Sequence, residues 1–397
     1  MTTKLKRRIG PGLLTAYGVG VMVGAGIYVL TGAAAGAAGM WAPLAFVFAA
    51  LVAVPTALTF SELSARIPEA AGDSSYIEVG LQRHHLAVLV GWINVIAGTI
   101  AAAAVLRGGV GYLTSIVDVP AIWAVIGLGA LLTLIAIIGV VESLAFAALL
   151  TLVEVIGLSF VIWAGFSAPA VAEWSLPLPS PEWLGIAGAS TFAFFAFIGF
   201  DDMVNMAEEV RAPERTMPRA ILWALLITAV LYALVSLGAV RAVPRDILGS
   251  SERPLALVWE AATGKSGVFL SAIAVAAALN GILAQIVMAS RVLYGLGKRS
   301  PSLAVFRHAH PRFGTPSRAS VLVGASVVLT ALALPVATLA ELTTFALLVV
   351  FTIVNAALIA LKTRVPEAPF RVPTYVPWFG LLACLALLAT SLAGEFL

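Results

Sequence analysis

Long apolar runs separated by short joints rich in Pro, Arg and Glu recur along the whole chain. A helix crosses ~30 Å of hydrocarbon in about 20 residues. Eleven runs reach or approach that length, at about 12–34, 41–65, 87–113, 120–140, 144–168, 184–209, 218–240, 266–296, 319–336, 339–361 and 376–394. The pattern predicts an all-α integral membrane protein of about 11 transmembrane helices.

Composition strengthens this reading. Of 397 residues, 61% are apolar and 11% charged, with a mean hydropathy of +1.04. A soluble domain sits nearer half apolar and a quarter charged, so most of this surface must meet lipid or other helices. No polar stretch is long enough for a separate soluble domain, and residues 1–397 read as one transmembrane domain. The basic start, Met1 to Arg8, precedes a long glycine-interrupted run without a small-residue cleavage site. That is the pattern of a first span and not of a cleaved signal.

Lys and Arg set orientation through their excess on the cytoplasmic side. With alternating spans, Arg107, Arg241, Arg245, Arg253 and Lys265 fall on one side and the other Lys and Arg on the opposite one. This bias places the N-terminus in the cytoplasm, in the cell (plasma or inner) membrane, and an odd span count places the C-terminus outside. Residues 243–264 form the long outer connection, predicted to carry short interfacial helices over the site. The basic residues flank spans, so they call for no nucleic-acid partner.

Two runs are poor continuous helices. The first reads Gly18-Val-Gly-Val-Met-Val-Gly-Ala-Gly-Ile-Tyr28, and each glycine costs ~1 kcal/mol relative to alanine. The sixth reads Phe192-Ala-Phe-Phe-Ala-Phe-Ile-Gly-Phe-Asp-Asp202, with a glycine and two carboxylates at mid-depth. Non-helical backbone survives in lipid only where it lines a cavity. Matching interruptions in corresponding spans point to an inverted-repeat transporter, with the site at the breaks. Here the repeats would be about 10–168 and 184–362, with an extra helix at about 376–394. The second half of a broken helix starts with unpaired N–H groups at the positive end of its dipole, which suits a carboxylate. Carbonyls freed at the end of the first half suit an ammonium group. A site with both selects an α-amino acid or a close analogue.

Five stretches together resemble the amino acid–polyamine–organocation (APC) superfamily, closest to its cationic-amino-acid-transporter-like branch. They are Val23-Gly-Ala-Gly-Ile-Tyr-Val29, Glu62-Leu-Ser-Ala-Arg-Ile-Pro-Glu-Ala-Ala-Gly72, Phe197-Ile-Gly-Phe-Asp201, Glu208-Glu-Val-Arg-Ala-Pro-Glu-Arg-Thr-Met-Pro-Arg219 and Ser290-Arg-Val-Leu-Tyr294. The resemblance implies a five-plus-five inverted repeat with broken helices one and six. It places the substrate carboxylate on the amides around Gly24, Ala25 and Gly26, flanked by Val23 and Ile27. The amino group would meet carbonyls near Met22, Phe195 and Ile198, beside Ala196 and Gly199. Phe195 falls where members place an aromatic that covers the substrate and gates it.

Three departures shape the expected function. Members that take arginine or lysine often carry a third-span Glu after a Gly-Trp pair, and Gly91-Trp-Ile-Asn-Val-Ile-Ala97 puts Ala97 there. A cationic side chain at mid-membrane would lack its counter-charge, which favours a neutral substrate. Relatives commonly have twelve spans, against eleven runs here. Proton-coupled relatives often place a fifth-span lysine where this chain has Glu154.

An ionisable residue inside a span is a functional candidate. Glu154, near the middle of the fifth run, is read as a proton carrier linked to closure of the first span. Asp201 follows the sixth-span break and is read as a gate acid or a brace of the unwound segment. Asn94, Asn205, Asn280 and Gln285 are candidate polar wall residues.

The resulting expectation is a secondary transporter taking up a neutral L-amino acid by alternating access with protons. An exchanger and a cationic amino acid or polyamine transporter are alternatives, with a channel or membrane-embedded enzyme in other classes. No span contains a histidine, no HExxH occurs, and Cys384 is the one cysteine. Neither a metal site nor a nucleophile–base pair is therefore expected, and no cofactor.

Overall fold

The computed structural model describes residues 7, 9–68, 72–138, 144–175, 179–299 and 301–394. Backbone groups in hydrocarbon have no water to bond, so each apolar run pairs its own N–H and C=O groups as a helix. The first span is made of α1 (Pro11–Val23) and α2 (Ala25–Ala38), and the second is α3 (Ala42–Arg66). A short α4 (Gly72–Leu81) leads to α5 (His84–Thr114), α6 (Ala121–Ile138) and α7 (Leu144–Ser167). The sixth span is α8 (Trp183–Phe197) followed by a 3₁₀ segment, Asp202–Glu209, and the seventh is α9 (Pro213–Ala242). The outer connection folds into α10 (Arg245–Ser250) and α11 (Pro254–Thr263), the predicted short helices. The chain continues through α12 (Val268–Arg299), α13 (Ser317–Ala333), α14 (Val336–Arg364) and α15 (Tyr375–Gly394).

Helices occupy every predicted run. Among the described residues eight helical stretches are long and apolar enough to cross a membrane, and Pro11–Val23, Ser317–Ala333 and Tyr375–Thr390 are shorter apolar helices. The largest boundary difference is at α9, which starts at Pro213 because proline's fixed φ suits the first helical position. Among the described residues the β-type pairing is one isolated parallel bridge, Ile9 with Val210. It ties the start of the chain to the end of the sixth span.

The outward face is apolar: Leu184 is 82% exposed and Leu329 68%. Water would penalise these side chains and lipid does not. Inside the bundle, α2 packs on α8, α3 on α9, α5 on α12 and α6 on α13. Each of the first four spans thus meets the span five positions later, the pairing that two related five-span halves would produce.

One buried ionic knot locks the basic end. Glu62 at the end of α3 is fully buried; its Oε1 accepts from Arg66 Nε at 2.9 Å and Nη2 at 2.6 Å. Its Oε2 accepts from Lys362 Nζ of α14 at 2.5 Å and from the Val372 N–H at 2.8 Å. The knot therefore joins α3, α14 and the strand of chain leading to α15.

Candidate functional site

Both predicted interruptions are present. α1 stops at Val23, Gly24 adopts φ −29° and ψ −171°, and α2 restarts at Ala25. α8 stops at Phe197, and Gly199 turns the chain with φ +125°, a region L side chains rarely enter. The same glycine allows the two breaks to touch. A Cβ on Gly199 would lie 2.7 Å from Val21 Cγ1 and 3.2 Å from the Val21 carbonyl carbon. Asp201 Oδ1 accepts the Gly199 N–H at 3.0 Å, so a carboxylate replaces the ladder bond lost at the turn.

A cavity of about 80 Å³ opens at this junction. Gly20, Val21, Met22, Gly24 and Gly26 line it from the first span, and Phe195, Ala196 and Ile198 from the sixth. Ala101 and Val105 of α5, Thr151 of α7, and Asn280, Gly281, Ala284 and Gln285 of α12 complete it. Through Tyr17, Ala101, Ile198, Ala284 and Gln285, which line both, it continues into a vestibule of about 880 Å³. That vestibule runs between α4, the C-terminal part of α12 and the 313–316 loop, at the basic end.

The predicted site residues divide accordingly. Met22, Gly24, Gly26, Phe195, Ala196 and Ile198 surround the cavity, whereas Val23 and Ile27 are fully buried in the apolar core. Ala25 contributes the first residue of α2, and Gly199 packs behind the cavity against α1. Asn94, Ala97, Asn205 and Asp201 line the vestibule. Asp202 accepts from Gln285 Nε2 at 3.4 Å. Asp73, at the start of α4, accepts from Asn94 Nδ2 at 2.9 Å. Burial, with Asp201 nearby, pushes the Asp73 carboxyl up to about 7 against that hydrogen bond. The basic end of the pathway is thus acid-lined.

Glu154 sits apart from these acids. It lies in α7, 2% exposed, and its Oε2 has no hydrogen-bond partner among the described residues. Its main-chain carbonyl accepts the Tyr28 hydroxyl at 3.2 Å, which joins α7 to α2 just beyond the break.

Tyr28 and Tyr232 complete the surroundings and were absent from the predicted set. A hydroxyl buried in a membrane bundle must find an acceptor, but nothing local in the sequence says which. Tyr232 of α9 is the more informative. Its hydroxyl lies 2.5 Å from the Met22 carbonyl and 3.0 Å from the Ala196 carbonyl, so it joins the C-terminal ends of α1 and α8. The Met22 carbonyl, expected to face the substrate amine, is engaged by this hydroxyl instead. Tyr232→Phe should keep the fold and lower the initial uptake rate about fivefold, since the single O–H proton shared between the two carbonyls, worth about 1 kcal/mol, is lost. An uptake rate within twofold of wild type would remove Tyr232 from the mechanism.

Residues 13–394 match the amino acid permease family. A branched-chain amino acid permease of Bacillus subtilis is 27% identical over 97% of this chain and 88% of its own length. A methylthioribose transporter of the same species is 31% identical, over 92% of this chain and 83% of its own. Human cationic amino acid transporter 4 is 28% identical over 93% of this chain, which spans 62% of that longer relative.

Proposed function

The chain belongs to the amino acid permease family, and on that premise we propose that it takes up a neutral L-amino acid by alternating access, driven by protons. It is a multi-pass membrane transporter and not an enzyme. The observation that carries the finer reading is the cavity where the two broken helices meet, which continues into the acid-lined vestibule. In this reading the N–H groups that begin α2, at Ala25 and Gly26, receive the substrate carboxylate, favoured by the positive end of the helix dipole. Carbonyls at the end of α1, around Gly20 and Val21, receive the ammonium group.

The rest of the lining supports a neutral side chain. Ala101, Val105, Gly281 and Ala284 are small and apolar, Asn280 and Gln285 are uncharged, and among the described residues no carboxylate lines the cavity itself. Ala97 lines the vestibule without supplying the counter-charge of arginine- or lysine-carrying relatives. An apolar cargo agrees with the branched-chain amino acids named for the Bacillus subtilis relative.

Basic residues gather at the vestibule end, so that end is assigned to the cytoplasm and the conformation to the inward-open one. Glu154 is the assigned proton carrier. A carboxylate charge buried with one oxygen unsatisfied, as Glu154 Oε2 is among the described residues, is expensive, and a proton is the smallest partner that removes the cost.

Proteoliposomes test the proposal. A panel of unlabelled amino acids and amines competes with labelled leucine, with and without a proton gradient, sodium, or amino acid inside the vesicles. The proposal expects neutral amino acids to compete and an acidic exterior to drive accumulation. Glu154→Gln should keep downhill movement and lose the response to the gradient. A Glu154→Gln protein whose uptake follows pH as wild type does would end the assignment. Uptake that appears only with amino acid inside would show an exchanger.

A further inference from the structure

The side of the molecule opposite the vestibule is closed by close contact of backbone. α10 and α11 lie on α2, where a Cβ on Gly32 would be 3.2 Å from Pro254 Cγ and one on Gly36 would be 3.4 Å from Gly249 Cα. The last turns of α5 press on the same seam. Gly108 faces Val29 of α2, and a Cβ on Gly111 would be 2.9 Å from Glu252 Cβ, just ahead of α11.

Within this seam sits the hydroxyl of Tyr112, a side chain 1% exposed. It donates to the Tyr28 carbonyl of α2 at 2.6 Å and accepts the Leu255 N–H at 3.3 Å. The second bond has a clear cause. The first backbone N–H groups of a helix lack partners inside it. Pro254 begins α11 without an N–H, and Arg253 supplies no side-chain cap. Leu255 therefore brings the first orphan donor of α11, and Tyr112 satisfies it. The Tyr28 hydroxyl in turn reaches the Glu154 carbonyl at 3.2 Å. One line of hydrogen bonds thus runs from the lid helix through α5 and α2 to α7.

We propose that Tyr112 is the latch of the outer gate, a positioning residue that holds α11 and α2 together while the pathway is open at the vestibule. The inference rests on the alternating-access reading above. For the outer side to open, α11 and α2 must separate, and both bonds to the Tyr112 hydroxyl break. The latch therefore favours the inward-open state by the strength of two hydrogen bonds.

Thiol labelling of the purified full chain in detergent tests this, in a Cys384→Ala background. One reporter, Val29→Cys, lies in the outer seam against Gly108; another, Val287→Cys, lines the vestibule. Tyr112→Phe keeps the ring, which meets the Tyr28 ring edge-on at 6.2 Å, and deletes only the hydroxyl. It should raise the maleimide labelling rate at Val29→Cys about tenfold without raising it at Val287→Cys. No increase at Val29→Cys overturns the latch. An equal increase at both reporters also overturns it, because that is general loosening and not a shift between gates. Labelling needs no transport, so wild-type vesicles that move no amino acid would sink the transport reading independently of the latch result.

Discussion

Replacing Gly199 by alanine is expected to cut amino acid uptake at least tenfold and to lower the thermal stability of the purified protein. Two costs act together. A φ of +125° forces an L side chain into sparsely populated backbone space, at about 1–3 kcal/mol. The added methyl would also press on α1, at 2.7 Å from Val21 Cγ1 and 3.3 Å from the Met22 nitrogen, and overpacking costs a further ~1–3 kcal/mol. The chain can relieve both only by moving the sixth-span turn away from the first-span break, which dismantles the cavity. Gly188→Ala, in the same span with nothing within 4 Å of the added Cβ, is the matched control and should behave as wild type. Equal uptake by the two variants would show that the contact between the breaks is dispensable.

Glu62→Gln should be the most destabilising polar substitution, by about 3–5 kcal/mol, the range for breaking one side of a buried ion pair. Glu62 is fully buried, and its two oxygens serve Arg66, Lys362 and the Val372 N–H. An amide cannot accept at both ends, so one end would present N–H groups to a cation or to a backbone donor. Arg66 also donates to the Val365 and Glu367 carbonyls, so the loss would spread into the connection between α14 and α15. Adding Lys362→Met should recover part of the loss by removing the stranded ammonium, and the recovery is the diagnostic result. Thermal unfolding of the two variants in detergent measures it. A Glu62→Gln loss below about 1 kcal/mol would mean that water reaches the knot and the pair behaves as an exposed one.

These effects differ in how far the chain alone announces them. The breaks were legible because glycines crowd the middle of the first apolar run and a glycine with two carboxylates interrupts the sixth. Both signals are local, and each acts on the backbone of its own segment. Glu154 was legible because a carboxylate inside an apolar run is rare whatever surrounds it. Val23 and Ile27 lie in the same motif as Gly24 and Gly26, yet they face the core. A one-residue interruption leaves the two half-helices so close in register that only some of the motif can turn toward the cavity.

Helical class and the positions of the two interruptions follow from the sequence by itself. Lipid acts on each segment separately, so length, apolarity and glycine content decide those features run by run. Partner choice was decided only by the tertiary structure. Tyr232 reaches Met22 across 210 positions, Lys362 reaches Glu62 across 300, and Tyr112 reaches Leu255 across 143. A buried hydroxyl or charge must be satisfied wherever it lies, but any of several carbonyls would meet that demand equally well. Which one does so depends on how the helices pack, and no local pattern in the chain encodes that.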